Sequence, residues 1–141
     1  MTSIPAIRAG VATRLETIQG LRVEDKVTAS INPPAAIIYP APGTFITYDQ
    51  AMGGADDILI TITLLVSRAT DRTAQQKLDE YLANTGAKSI KAAVDGDLEL
   101  GGAAQYATVT SAANYGPMTF GEGDAAITYL GCDFTVTIGA I

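Results

Sequence analysis

The run from Ile58 to Ser67 admits one secondary structure. Ile58, Ile60, Ile62, Leu64 and Val66 alternate with Leu59, Thr61, Thr63, Leu65 and Ser67. A period of two with many β-branched residues is the pattern of a strand, because successive side chains leave a pleated backbone on opposite faces. The second set is half apolar as well, so the spacing predicts a central strand partly covered on both faces. A helix follows at once, expected over 71–84. Thr70 is the expected cap, Asp71 sits in the first turn where the helix dipole favours an anion, and Ala74, Leu78, Tyr81 and Leu82 form one apolar stripe. Gly86 is the expected C-terminal stop.

The remaining segments are arranged around this unit. Ser3 or Thr2 caps a first helix, with Pro5 in its first turn and Ile4, Ile7, Val11, Leu15 and Ile18 on one stripe; Gly20 closes it. Leu21 to Thr28 carries charges and reads as a connecting loop. Pro33-Pro34 precedes a short apolar strand at 35–39, and Pro40 to Gly43 is a turn signal. Residues 44–48 alternate Phe45 against Ile46 and suit a further strand. Ser89 caps a short helix from Ile90 to about Val94, which Asp95-Gly96-Asp97 ends; the following Gly101-Gly102 is a turn. Residues 104–112 alternate again, and 114–124 (NYGPMTFGEGD) read as turn. The last strand sets Leu130, Cys132, Phe134, Val136 and Ile138 against Tyr129, Gly131, Asp133, Thr135 and Thr137, one dry face and one wet. The order α-β-β-β-α-α-β-β predicts an α+β fold: an antiparallel sheet with helices packed on one face. The 141 residues are expected to form a single domain, 1–141.

Composition removes several chemistries. The chain has no histidine, which excludes Ser–His and Cys–His catalysis and imidazole-bound zinc. Its one cysteine, Cys132, lies on an apolar strand face and is expected to be a buried, inert thiol. No apolar run approaches the roughly eighteen residues of a membrane helix, and the start of the chain lacks the pattern of a secretory signal, so no membrane partner is expected. Asp95, Asp97 and Glu99 superficially resemble a calcium loop but lack its further ligands and terminal bidentate Glu; no metal or cofactor is expected. The acidic neighbours Asp56-Asp57 and Asp79-Glu80 read as solvated surface, without the apolar pocket that a carboxylate acid–base pair requires.

Charge is unevenly placed. All nine Lys and Arg lie in residues 1–91, where nine acids balance them. Asp95, Asp97, Glu99, Glu122, Asp124 and Asp133 carry the whole net charge of −6. Such a surface repels phosphate and disfavours nucleic-acid binding. It serves solubility, or a surface that faces DNA without holding it. The loop Asp49–Asp57, with Asp49, Met52, Gly53, Gly54, Asp56 and Asp57, is a candidate projecting docking loop.

Several stretches together resemble the tail terminator (tail completion) proteins of long-tailed phages, those of actinobacterial siphophages most of all. They are SRATDR at 67–72, LDEYLA at 78–83, SIKAAVDGD at 89–97, LGGA at 100–103 and YLGCDFTVTI at 129–138, with IRAGVATRLETIQGL and PPAAIIYP fitting as well. The likeness runs over nearly the whole chain, though each piece alone is weak. It implies a small fold like that of the lambda tail terminator and a homohexameric ring at the head-proximal end of the tail tube. The implied partners are further copies of the chain, the major tail tube protein and a head-completion or stopper protein, with double-stranded DNA passing through the lumen. The implied location is the virion at the head–tail junction, after assembly in the host cytoplasm. It implies no catalytic residues. On this reading the acidic loops holding Asp95, Asp97, Glu99, Glu122 and Asp124 are expected at the lumen or a ring face. Competing expectations are another neck protein (a stopper or adaptor), a binding domain of a bacterium, and a small carboxylate hydrolase.

Overall fold

The computed structural model describes residues 3–24, 33–48, 55–120, 123 and 126–140. Among these the chain runs α1 (Ile4–Leu15), β1 (Arg22–Glu24), β2 (Ala35–Pro40), β3 (Ile46–Thr47), β4 (Asp57–Arg68), α2 (Ala74–Leu82), α3 (Ile90–Asp95), a 3-10 turn (Leu100–Gly102), β5 (Ala104–Phe120) and β6 (Ile127–Ala140). It is an α+β fold with a six-stranded sheet ordered β1-β2-β4-β6-β5. All its ladders are antiparallel except β1–β2, which is parallel.

The strand β4 is the axis, as its alternation requires. Ile58, Ile60, Ile62, Leu64 and Val66 all enter the main core, together with Ile7, Val11 and Leu15 of α1, Leu78 and Tyr81 of α2, and Ile90 and Val94 of α3. All three helices therefore bury their apolar residues against the same sheet face. Cys132, Phe134, Val136 and Ile138 of β6 complete that layer. On the opposite face Leu65 joins Ile37 and Tyr129 in a second, smaller cluster flanked by Tyr39, Met118, Phe120 and Ile127. Thr61 and Thr63 are buried on that face too. The expectation of a strand covered on both sides holds.

Several boundaries differ from the sequence reading, each for a physical reason. The polar segment after α1 is not all loop: Arg22–Glu24 forms β1, beginning with the Arg22 N–H donated to the Pro34 carbonyl at 3.0 Å. β3 is only two residues, Ile46–Thr47. It continues the ladder that β2 makes with β4 after an excursion at 41–45, held by the Ala41 N–H on the Leu59 carbonyl and the Leu59 N–H on the Phe45 carbonyl. α2 begins at Ala74, not near Asp71, and its cap position is Thr73 rather than Thr70. Asp71 stands outside the helix and accepts the Thr73 N–H at 2.9 Å, the Thr73 hydroxyl at 2.8 Å and the Lys77 ammonium at 2.9 Å. The Lys77 bond and then those from Thr73 hold its carboxyl below the usual carboxylate range. The helix ends at Leu82, four residues before Gly86. Finally, 114–120 is strand: β5 runs unbroken to Phe120, absorbing Asn114 through an irregularity between Ala113 and Gly116.

Two contacts fix the helical layer. The Ser89 hydroxyl accepts the Ala92 N–H at 3.0 Å, capping α3 as its residue type predicts, and donates to the Ala83 carbonyl at the end of α2 at 2.5 Å. Arg14 of α1 donates to the Ala93 carbonyl of α3 at 2.9 Å. Gly96 makes room for it: a Cβ there would stand 2.2 Å from the guanidinium.

Candidate functional site

The acids expected near a lumen divide into two kinds. Asp95 is the last residue of α3, not part of an open loop. One carboxylate oxygen accepts the Val109 N–H at 3.1 Å and the Thr108 hydroxyl at 3.0 Å; the other pairs with the Lys91 ammonium at 2.7 Å. Lys91 also donates to the Val109 carbonyl at 3.1 Å. Together Lys91 and Asp95 cap both backbone groups of an edge-strand residue. Burial alone would raise the Asp95 pKa, but the Lys91, Val109 and Thr108 bonds outweigh it and hold the group below its ordinary value.

Asp97 is also committed, accepting the Glu99 N–H at 3.1 Å and the Gly101 N–H at 2.8 Å to shape the turn before the 3-10 segment. Glu99 is exposed. Glu122 and Asp124 lie outside the described residues, as do Asp49, Met52, Gly53 and Gly54 of the candidate docking loop. The end of that loop is anchored. Asp57 is the first residue of β4 and accepts the Tyr106 hydroxyl at 3.1 Å, while the Asp56 carbonyl accepts the Ala140 N–H at 2.9 Å. Gly139 permits this arrangement, since a Cβ there would meet the Tyr106 ring at 2.3 Å.

The sheet face away from the helices is wired by polar side chains. The Tyr39 hydroxyl donates to Thr63 Oγ1 at 2.5 Å, and Thr63 donates to Asp133 at 2.6 Å. The Asn114 amide donates to the other Asp133 oxygen at 2.9 Å. Thr110–Thr137 and Thr119–Thr128 hydroxyl pairs flank this chain at 3.1 and 2.8 Å. Sequence alternation marked this face as wet, but Asp133 is spent inside the network rather than offered to solvent.

A long open feature among the described residues is the outer edge of β5. Among the described residues β5 is a terminal strand of the sheet, pairing with β6 alone. Its first half is guarded by Lys91 and Asp95. From Thr110 to Tyr115 every residue is exposed. An unpaired strand edge is a ready surface for another chain. A groove of about 230 Å³ between α2, α3 and this edge, lined in part by Leu82, Lys91, Thr110 and Ala112, borders it.

The other acids singled out in the sequence, and the cysteine, are engaged within the fold. Asp79 accepts the Tyr115 hydroxyl at 2.9 Å, and Glu80 pairs with Lys88 at 3.2 Å. Cys132 is buried in the main core; burial, with the neighbouring Asp133 charge, pushes its thiol up to about 12. Among the described residues no group of three Cys, Asp or Glu side chains could hold a metal ion, and no helix is long and apolar enough to cross a membrane. No protein-family model matches the chain, and no curated protein is found similar to it.

Proposed function

We propose that this chain is a structural protein of a phage tail, capping the head-proximal end of the tail tube as a ring of identical subunits. The ring ends tube polymerisation, joins the tube to the head-completion or stopper protein and lets DNA pass. The observation that carries this reading is the exposed edge of β5 from Thr110 to Tyr115, on a protomer whose helices occupy the opposite side of a polar-wired sheet face. An open edge on one side of an α+β protomer supports a heterologous contact, the kind that closes into a ring when its rotation allows. The sequence resemblance and the base-free acidic segment 92–141 agree with it. The polar side chains described above bond to one another and to backbone, which favours a scaffold over an enzyme.

Deleting the gene and imaging the particles tests the reading. Loss of a tail cap gives overlong tubes, because nothing stops polymerisation. Full-length tails detached from heads would instead identify a stopper or adaptor, and normal particles would refute both.

A further inference from the structure

An edge strand is kept from pairing with a neighbouring molecule by charged side chains, by a bulge or by a covering element. β5 carries all three at one place. The Val109 N–H donates to an Asp95 oxygen at 3.1 Å, and the Val109 carbonyl accepts the Lys91 ammonium at 3.1 Å. These are the two bonds that an added antiparallel strand makes with one residue. The register between β5 and β6 shifts immediately afterwards, between Val109 and Ser111. Such an irregularity bends a strand and interrupts the even spacing that a partner needs.

α3 holds the pair in place. Ser89 caps the helix and donates to the Ala83 carbonyl at the end of α2, and Arg14 of α1 donates to the Ala93 carbonyl. Ile90, Ala93 and Val94 are buried in the main core. Lys91 and Asp95 also bond to each other at 2.7 Å. A surface ion pair one turn apart on a helix contributes little by itself. Here each partner has a main-chain group of β5 as a second contact, which a pair serving only the helix does not need.

The strand changes character at this point. Ala107 and Val109 are buried, whereas Thr110 to Tyr115 are all exposed. Every copy of the chain presents the same exposed stretch, so copies that meet in solution are each other's nearest source of a pairing edge. We propose that the Lys91–Asp95 pair is an autoinhibitory stop on β5: it occupies Val109 in place of a strand and confines pairing with a second copy of the chain to the residues beyond it. The stop needs an open edge but no ring, so it does not rest on the tail-cap reading.

Self-association of the full chain, followed by sedimentation velocity, tests it. Lys91→Ala combined with Asp95→Ala frees both Val109 groups. This double variant is expected to keep the circular dichroism of the wild type, to exchange the Val109 amide about tenfold faster and to associate about tenfold more tightly, as the loss of about one hydrogen bond implies. Adding Ser111→Lys sets a charge on the exposed edge and should return association to the wild-type level. Association no tighter than wild type, or tighter association that Ser111→Lys leaves in place, would overturn the stop. If the double variant unfolds, Lys91→Met decides. It keeps an apolar stem, frees only the Val109 carbonyl and should tighten association by about threefold; wild-type association would overturn the stop. Tail length after gene deletion bears on the tail-cap reading alone, so the two fail separately.

Discussion

Asp95 accepts the Val109 N–H at 3.1 Å while its neighbour one helical turn back, Lys91, donates to the Val109 carbonyl. An acid and a base at i and i+4 on a short helix thereby close one residue's worth of sheet edge. The arrangement decides where another chain can add a strand: not at Val109, but beyond it, where Thr110 to Tyr115 are exposed.

Removing this clasp should be measurable as stability. Asp95→Ala leaves the Val109 N–H and Lys91 without their partner and is expected to cost about 1–3 kcal/mol in urea denaturation at neutral pH. The folded carboxyl titrates below its ordinary value, so the unfolded chain binds the proton more readily. The contribution is therefore full above the usual Asp pKa of about 3.9 and is lost as pH falls through the lower folded value. The difference in stability between wild type and Asp95→Asn should shrink as pH is lowered through the acid range. A difference that stays constant to pH 2 would contradict the assignment.

Charge reversal separates fold from surface within the acidic segment. Asp95→Lys sets a second ammonium beside Lys91 and should unfold the β5 edge, and Asp97→Lys removes the acceptor that shapes the following turn. Glu99 is exposed, so Glu99→Lys should leave the melting temperature within about 2 °C of wild type. On the proposed tail-cap reading, with Glu99 facing the DNA path, particles carrying Glu99→Lys should assemble complete tails and eject DNA poorly. Normal infectivity would remove this residue from the lumen.

The Cys132 thiol gives a probe of core opening. Burial has pushed its pKa to about 12, and it packs in the main core. A disulfide reagent at pH 8 should label the native protein only as fast as the sheet opens, and labelling should become complete in denaturant. Rapid labelling of the native chain would show that β6 does not lie as described.

What the sequence disclosed, and what it hid, follows from how many independent signals each element carries. The strand β4 was legible because ten positions repeat one alternation, and its two faces were assigned correctly down to Leu65 and Val66. The first helix was legible at its start, where Ser3 accepts the Ala6 N–H, but its end was misplaced: the helix stops at Leu15, and Ile18, buried in the turns that follow, extended the apparent stripe toward Gly20. β1 was hidden: Arg22, Val23 and Glu24 are too few to show a period, and their strand character comes from pairing in parallel with β2, thirteen residues further on. The second half of β5 was hidden because Asn114, Gly116 and Pro117 have turn chemistry. An edge strand tolerates them, since a proline without an N–H costs little where no ladder bond is needed and an irregularity can take up an extra residue. The role of Asp95 was hidden for a related reason. Its i,i+4 spacing to Lys91 was visible, but nothing local to 91–95 names Val109 as the group between them.

The polar chain Tyr39–Thr63–Asp133–Asn114 has a consequence for folding specificity. The apolar alternation of β4 and β6 is nearly the same after a slide of two residues, because Ile, Leu and Val recur at every second position. Such a slide would keep the dry faces dry, so hydrophobic burial alone selects it against only weakly. A slide one way would, however, set Asp133 opposite Leu65 and strand its carboxylate, and a slide the other way would set it opposite Thr61 and leave the Thr63 hydroxyl without its acceptor, at a cost of about 1–3 kcal/mol for an orphaned group. The three strands β2, β4 and β6, with β5 through Asn114, are thus keyed to one alignment by a single acid, and the residue that looks least at home in the sheet is the one that fixes how the sheet is assembled.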